Sequence, residues 1–139
     1  MTLRRNLKIF ASLPVFAGVY GLLFSLSLLG DELIAPDMEP WQPFWNTHFA
    51  KDIPSLQFEL KPFFAFLALA KFLGTGLLWS PNRYLEKVGN VILCFPAGLG
   101  GYMNWCIGDP IAPPLIWSLV NFYLLFTTEK VVAKGAKTE

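Results

Sequence analysis

Four long apolar segments make up more than half of this chain. The first carries no charged residue, and the second carries one, Lys71. Their lengths are 22, 18, 20 and 18 residues, and a helix of about 20 residues crosses a hydrocarbon core about 30 Å thick. Because that core offers no water to the backbone, each segment must bond its own N–H and C=O groups, which predicts helices. The segments cover residues 9–30, 62–79, 88–107 and 111–128.

The composition favours burial in a bilayer over burial in a water-soluble core. Hydrophobic residues make up 54% of the 139 residues and charged residues only 15%, against about 25% in soluble domains. A soluble domain of this size has too much surface for its volume to hide so much apolar area. The sequence therefore predicts an all-α membrane protein, a four-transmembrane-helix bundle formed by a single domain over residues 1–139.

The first segment has a second interpretation, because MTLRRNLK followed by an apolar run also resembles a secretory signal. The run is longer than the roughly 7–15 apolar residues of such signals, and no small-residue cleavage pattern follows it. We therefore expect a mature transmembrane helix here.

The charges sort by side of the predicted bundle. The side that holds both termini has eight basic and three acidic residues, whereas the other side has two basic and seven acidic residues. Because basic residues are retained on the cytoplasmic side, we expect a multi-pass protein with both termini, including the tail 129–139, facing the cytoplasm, matrix or stroma. The membrane would be an organellar inner membrane or the endoplasmic reticulum. A net charge of +1 indicates no nucleic-acid partner.

The link over residues 31–61 is long and aromatic. We expect it to lie at the headgroup level, where Trp is favoured, or against a partner. A short interfacial helix is predicted within residues 43–60, broken by Pro54. His48 stands alone in this link and is a weak candidate for a metal ligand. The candidate interfacial residues are Trp41, Phe44, Trp45 and Phe49.

Lys71 is the most unusual residue of the apolar segments, since a charge at mid-membrane costs about 2.5–3.5 kcal/mol or more. No acidic residue of the segments lies at its depth. Tyr20, Asn121 and the carbonyl of Ile92, which Pro96 deprives of its helical donor, lie at a similar depth and would accept hydrogen bonds from the ammonium. Three other interpretations remain open: a side chain that extends to the interface, a neutral amine inside the bundle, and a charge that serves an acid of a partner.

No combination of residues forms a catalytic or metal site. There is no nucleophile paired with a base, no phosphate loop and no intramembrane carboxylate pair. Asn104, near the end of the third segment, is a further candidate for a polar contact between helices. We predict no cofactor and expect bound lipid.

The second half of the chain resembles the DoxX-like family of small four-helix membrane proteins. The resemblance rests on LLWSPNRYLEKVGN, a Gly-rich helix and NWCIGDP, from about Phe66 to Lys130. It is nearest the branch that contains the nicotinic acetylcholine receptor chaperone, where a Gly-Asp-Pro turn also links the last two helices. Three departures are Lys71 in a register close to the family's glutamate, Asn104 where that branch often has histidine, and no lysine ending the first helix.

These observations favour a non-catalytic accessory protein: a structural subunit or assembly factor of a larger membrane complex. Its partners would be other integral membrane proteins and lipids. The resemblance implies an alternative, a DoxX-type membrane redox or quinone-linked protein. A third possibility is a carrier of a small ligand or ion that uses Lys71.

Overall fold

The computed structural model describes residues 3–29, 40–48, 50–57 and 59–127, except for the side chain of Leu56. Within these residues the protein is all-helical, without β-strands, and the prediction of an all-α protein is confirmed for this part of the chain. The predicted tail 129–139 and residues 31–39 of the aromatic link lie outside it. The helices are α1 (Leu3–Ser12), α2 (Val15–Ser25), α3 (Trp41–His48), α4 (Leu60–Leu78), α5 (Arg83–Ile107) and α6 (Ala112–Phe126), with a 3-10 turn at Pro54–Leu56.

The first predicted helix begins earlier than expected and is broken in the middle. Pro14 has no N–H with which to continue the α-helical bonding. The N–H of Leu13 bonds instead to the carbonyl of Phe10, and the N–H of Phe16 to that of Leu13, each over 3.1 Å. One predicted helix over residues 9–30 is therefore two helices, α1 and α2, joined at Leu13 and Pro14.

The third helix, α5, begins five residues before its predicted start because Asn82 caps it. The Asn82 side-chain oxygen accepts hydrogen bonds from the backbone N–H of Tyr84 at 2.9 Å and of Leu85 at 3.4 Å, which satisfies two otherwise free donors. The helix ends at Gly108, whose φ of 84° is left-handed and suits glycine. The turn before Pro110 is therefore as tight as the sequence predicts.

The first predicted helix ends at Ser25 instead of residue 30, and α5 ends at Ile107 as predicted. The remaining bounds differ by one or two residues. The predicted helix over 62–79 is α4, and the one over 111–128 is α6. The link contains α3 and a separate turn that begins at Pro54.

Two of the described helices are long and apolar enough to cross a membrane: Leu3–Ser25, counted across its break, and Leu60–Leu78. The remaining long helix, α5, has 25 residues but is more polar, whereas α6 is apolar but has 15 residues.

The helices pack in a ring. Helix α4 lies between α2 and α5, and α5 also packs against α6. Helix α1 contacts both α6 and α4. Arg4, near the start of α1, donates hydrogen bonds to Thr127 just past the end of α6 and pairs with Glu86 near the start of α5. These three helix ends therefore lie together. We call the group Arg4, Lys8, Glu86 and Thr127 the closed end.

The backbones of α4 and α5 approach closely at two glycines. A Cβ atom added to Gly89 would lie 2.5 Å from the backbone N of Leu78 and 2.7 Å from the carbonyl oxygen of Gly74. Only residues without side chains fit such a crossing, so glycine is required here for packing. Next to it lies the buried apolar core: Ala11, Leu78, Leu93, Ala97, Trp117 and Leu124.

Candidate functional site

A cavity of about 560 Å³ lies among α2, α4, α5 and α6, with α3 at one side. It extends from the α5–α6 turn, at Asp109, to the middle of α4, at Lys71. Its wall is apolar apart from a few polar groups, which is the usual character of a small-molecule site. Five prolines contribute to the wall: Pro14, Pro96, Pro110, Pro113 and Pro114.

The charged group on the inner wall is Lys71. Its alkyl stem packs against α2, because a Cβ added to Gly18 would lie 3.4 Å from the Lys71 Cβ. The amine forms no hydrogen bond or ion pair with any residue in the described part of the chain. Lys71 is thus a basic side chain in a mostly apolar cavity without a counter-ion among those residues.

Three other polar residues line the cavity. Asn104 donates from Nδ2 to the carbonyl of Pro110 at 2.9 Å. Trp41 is 5% exposed, and its indole N–H is buried with no acceptor among the described residues. Asp109 reaches the cavity from the α5–α6 turn but lies more than 4.0 Å from the Lys71 amine, beyond ion-pair distance.

The break in the first helix helps to close the cavity wall. The carbonyl of Ala11 belongs to the last turn of α1, where carbonyls lack helical donors. It accepts the indole N–H of Trp117 at 2.9 Å, so α6 is tied to α1 at the level of the cavity.

The structure brings together two of the four residues predicted for the polar pocket. Lys71 and Asn104 line the cavity. Tyr20 is 38% exposed, and Asn121 is fully buried with its Nδ2 donating to the carbonyl of Trp117 at 2.9 Å. The Lys71 amine bonds to none of Tyr20, Asn121 and the Ile92 carbonyl. The functional role of Lys71 stays a prediction.

The predicted interfacial residues divide into two groups. Trp41 turns into the bundle, where its ring lies 3.5 Å from a Cβ placed at Gly100, instead of facing outward. Phe44 and Trp45 are half-buried on α3, and Phe49 lies outside the described residues. His48 packs its ring on Phe44, with centroids 4.5 Å apart.

The sequence did not predict the network at the closed end. Arg4 donates to Glu86 and to both oxygens of Thr127, and the Lys8 amine lies 3.1 Å from the Glu86 carboxylate. Its signal was present in α5, where Glu86 begins a stripe of buried residues at alternating spacings of four and three. The stripe continues through Asn90, Leu93, Ala97 and Gly100.

Comparisons of the chain with protein-family models, with curated proteins and with solved structures gave no match. Among the described residues, no group of three or more His, Cys, Asp or Glu side chains is placed to hold a metal ion. The arrangement can bind a small molecule through one cation and a few polar groups in an apolar cavity.

Proposed function

We propose that this chain is a non-catalytic integral membrane accessory protein, a structural subunit or assembly factor of a larger membrane complex. The observation that carries this proposal is the apolar outer surface of the helices. Large side chains are exposed on each of the four long rods, namely α1 with α2, α4, α5 and α6. The exposed fractions are 71% for Phe16, 54% for Phe66, 71% for Trp105 and 58% for Phe122. Water would not solvate such a surface, so lipid or protein must cover it.

The membrane arrangement belongs to the same proposal. Four rods, α1 with α2, α4, α5 and α6, would cross the bilayer, with the closed end on the cytoplasmic, matrix or stromal side. In the two apolar helices only 22% and 17% of the most apolar 18 residues are buried. This low burial favours lipid-facing helices over the core helices of a soluble protein.

A shallow groove between α5 and α6 is suited to a partner helix. It has a volume of about 250 Å³ and is lined by Gly98, Gly101, Tyr102 and Trp105, among others. A Cβ added to Gly98 would meet no atom within 4 Å, so its backbone is open to close approach. Small residues flanked by aromatics are typical of helix contacts in membranes and of interface anchors.

The first test is whether the protein migrates with a larger assembly. After mild detergent extraction, native electrophoresis should place it in a complex well above its own mass, and Gly98→Leu should release it by filling the groove. Gly76→Leu is the matched control, since Gly76 on α4 is equally open. Migration of the wild-type protein at its own mass would contradict the proposal. A bound chromophore in the absorption spectrum would favour the redox alternative.

The second test concerns sidedness. In a background with Cys94→Ser and Cys106→Ser, single cysteines at Thr2, Thr138 and Asn46 are labelled in sealed vesicles. We expect the two terminal positions to react from one side and position 46 from the other. A terminus that reacts from the same side as position 46 would rule out four spans.

A further inference from the structure

We propose that the cavity is a binding site for a free fatty acid, a single-chain amphiphile with one carboxylate. The carboxylate binds at the Lys71 ammonium, and the chain lies along the apolar wall toward the α5–α6 turn. This goes beyond the proposed accessory role, because it assigns a ligand to the protein's interior rather than a partner to its outer surface.

A carboxylate ligand would supply the counter-ion that Lys71 lacks among the described residues. Lys71 lies eleven residues into α4, about 16 Å from the helix start, and its amine has no partner among the described residues. An isolated ammonium in apolar surroundings is costly, and a bound carboxylate offsets that cost through a charge-assisted hydrogen bond. A neutral amphiphile would leave the charge uncompensated.

The volume and the apolar lining of the cavity suit the hydrocarbon chain of such a ligand. A volume of about 560 Å³ falls within the range of roughly 300–1,000 Å³ for small-molecule sites. Leu67, Ala97 and Trp117 line it beside the prolines and leave long stretches of apolar surface.

The position of Asp109 disfavours a ligand with a second negative charge. Asp109 lines the same cavity at the α5–α6 turn, and like charges in a low-dielectric site repel each other. A dicarboxylate or a phosphate ester would bring further negative charge toward Asp109. The pair of Lys71 and Asp109 therefore selects a ligand with a single negative charge at its inner end.

The experiment uses the full-length protein in detergent micelles and decanoate labelled with ¹³C at the carboxyl carbon. NMR should show a bound carboxyl resonance that saturates, with affinity about 10- to 100-fold weaker in Lys71→Met. Lys61→Met is the matched control, since it removes a lysine from the same helix outside the cavity and should leave binding unchanged. Equal thermal midpoints for the variants show that both fold. Unchanged binding in Lys71→Met would overturn the proposal.

Two further measurements identify the basis of recognition. Decanol has the same chain without the charge and should compete at least tenfold less well than decanoate, whereas equal competition would show an apolar cavity with no head-group recognition. Asp109→Asn should strengthen decanoate binding by removing a like charge, and weaker binding would contradict the role given to Asp109. If decanoate does not bind and Lys71→Leu dissociates the native complex, the ammonium serves a partner's acid and the fatty-acid site is wrong.

Discussion

The closed end and the cavity each place basic side chains inside a largely apolar bundle, and they treat that charge in opposite ways. At the closed end, Arg4 and Lys8 share the carboxylate of Glu86, which is 8% exposed. In the cavity, Lys71 has an apolar wall around its stem and no partner among the described residues. A paired charge joins three helices, whereas an unpaired one does not stabilise the fold and is instead available to a ligand.

The helices also pack more closely near the closed end than along the cavity. Near the closed end, Gly74 and Gly89 bring α4 and α5 into backbone contact. Along the cavity, in contrast, the helices leave a space of about 560 Å³ that is lined in part by prolines.

The largest effect is expected for Glu86→Gln. Removal of the carboxylate leaves Arg4 and Lys8 as like charges in a mostly buried site, and breaking such a pair costs about 3 kcal/mol or more. The free energy of unfolding, measured by SDS titration with Trp fluorescence, should fall accordingly. The control is Glu59→Gln, at an exposed carboxylate outside the closed end. A small loss for Glu86→Gln, equal to that of the control, would show that the network does not hold the helices.

A somewhat smaller effect is expected for Gly89→Ala. The added methyl group would overlap the backbone of α4 at 2.5 Å, so the helices must separate, at a cost of roughly 1–3 kcal/mol. In contrast, Gly100→Ala places its methyl group 3.5 Å from the ring of Trp41, an ordinary contact, and should be neutral or mildly stabilising. SDS titration of both variants tests this difference, and equal losses would contradict the contrast in packing.

Trp117→Phe should cost about 1 kcal/mol, because it leaves the buried carbonyl of Ala11 without its donor. Trp41→Phe provides the comparison, since its indole N–H has no acceptor among the described residues. The same ring change there should cost less or even stabilise the protein. The difference between the two free energies of unfolding is the quantity to measure, and a larger cost for Trp41→Phe would reverse the assignment.

The smallest effect on stability is expected for Lys71→Leu. The substitution removes a costly charge without breaking any bond to a described residue, so the free energy of unfolding should stay within about 1 kcal/mol or rise. Ligand binding or complex formation should be lost instead. A marked loss of stability would mean that the ammonium has a structural partner in the protein.

The sequence predicted the helices well because their length and apolar content depend on local composition. It predicted the GDP turn for the same reason, since Gly108 adopts the left-handed conformation that glycine favours. The break at Pro14 was missed because a long apolar run obscured the one residue that cannot continue a helix. The capping by Asn82 was missed because the polar link around it reads as a loop.

The site was predicted only in part, because the sequence pattern does not give the orientation of each helix about its own axis. Depth along each segment placed Lys71, Tyr20 and Asn121 at one level, but depth does not say which way a side chain points. In the structure Tyr20 is 38% exposed, while Asn121 is buried and bonds within its own helix. Asp109 comes to the cavity from the α5–α6 turn and Trp41 from the start of α3, and the apolar pattern predicts the path of neither.

The break at Leu13 and Pro14 divides the first rod into two pieces with separate attachments. The N-terminal piece, α1, is anchored by the ion pair at Arg4 and by the indole bond from Trp117, whereas α2 is held by the fit of Gly18 and Gly21 against α4. The joint therefore separates two roles along one rod: α1 belongs to the end where three helices are tied together, whereas α2 forms one side of the cavity wall.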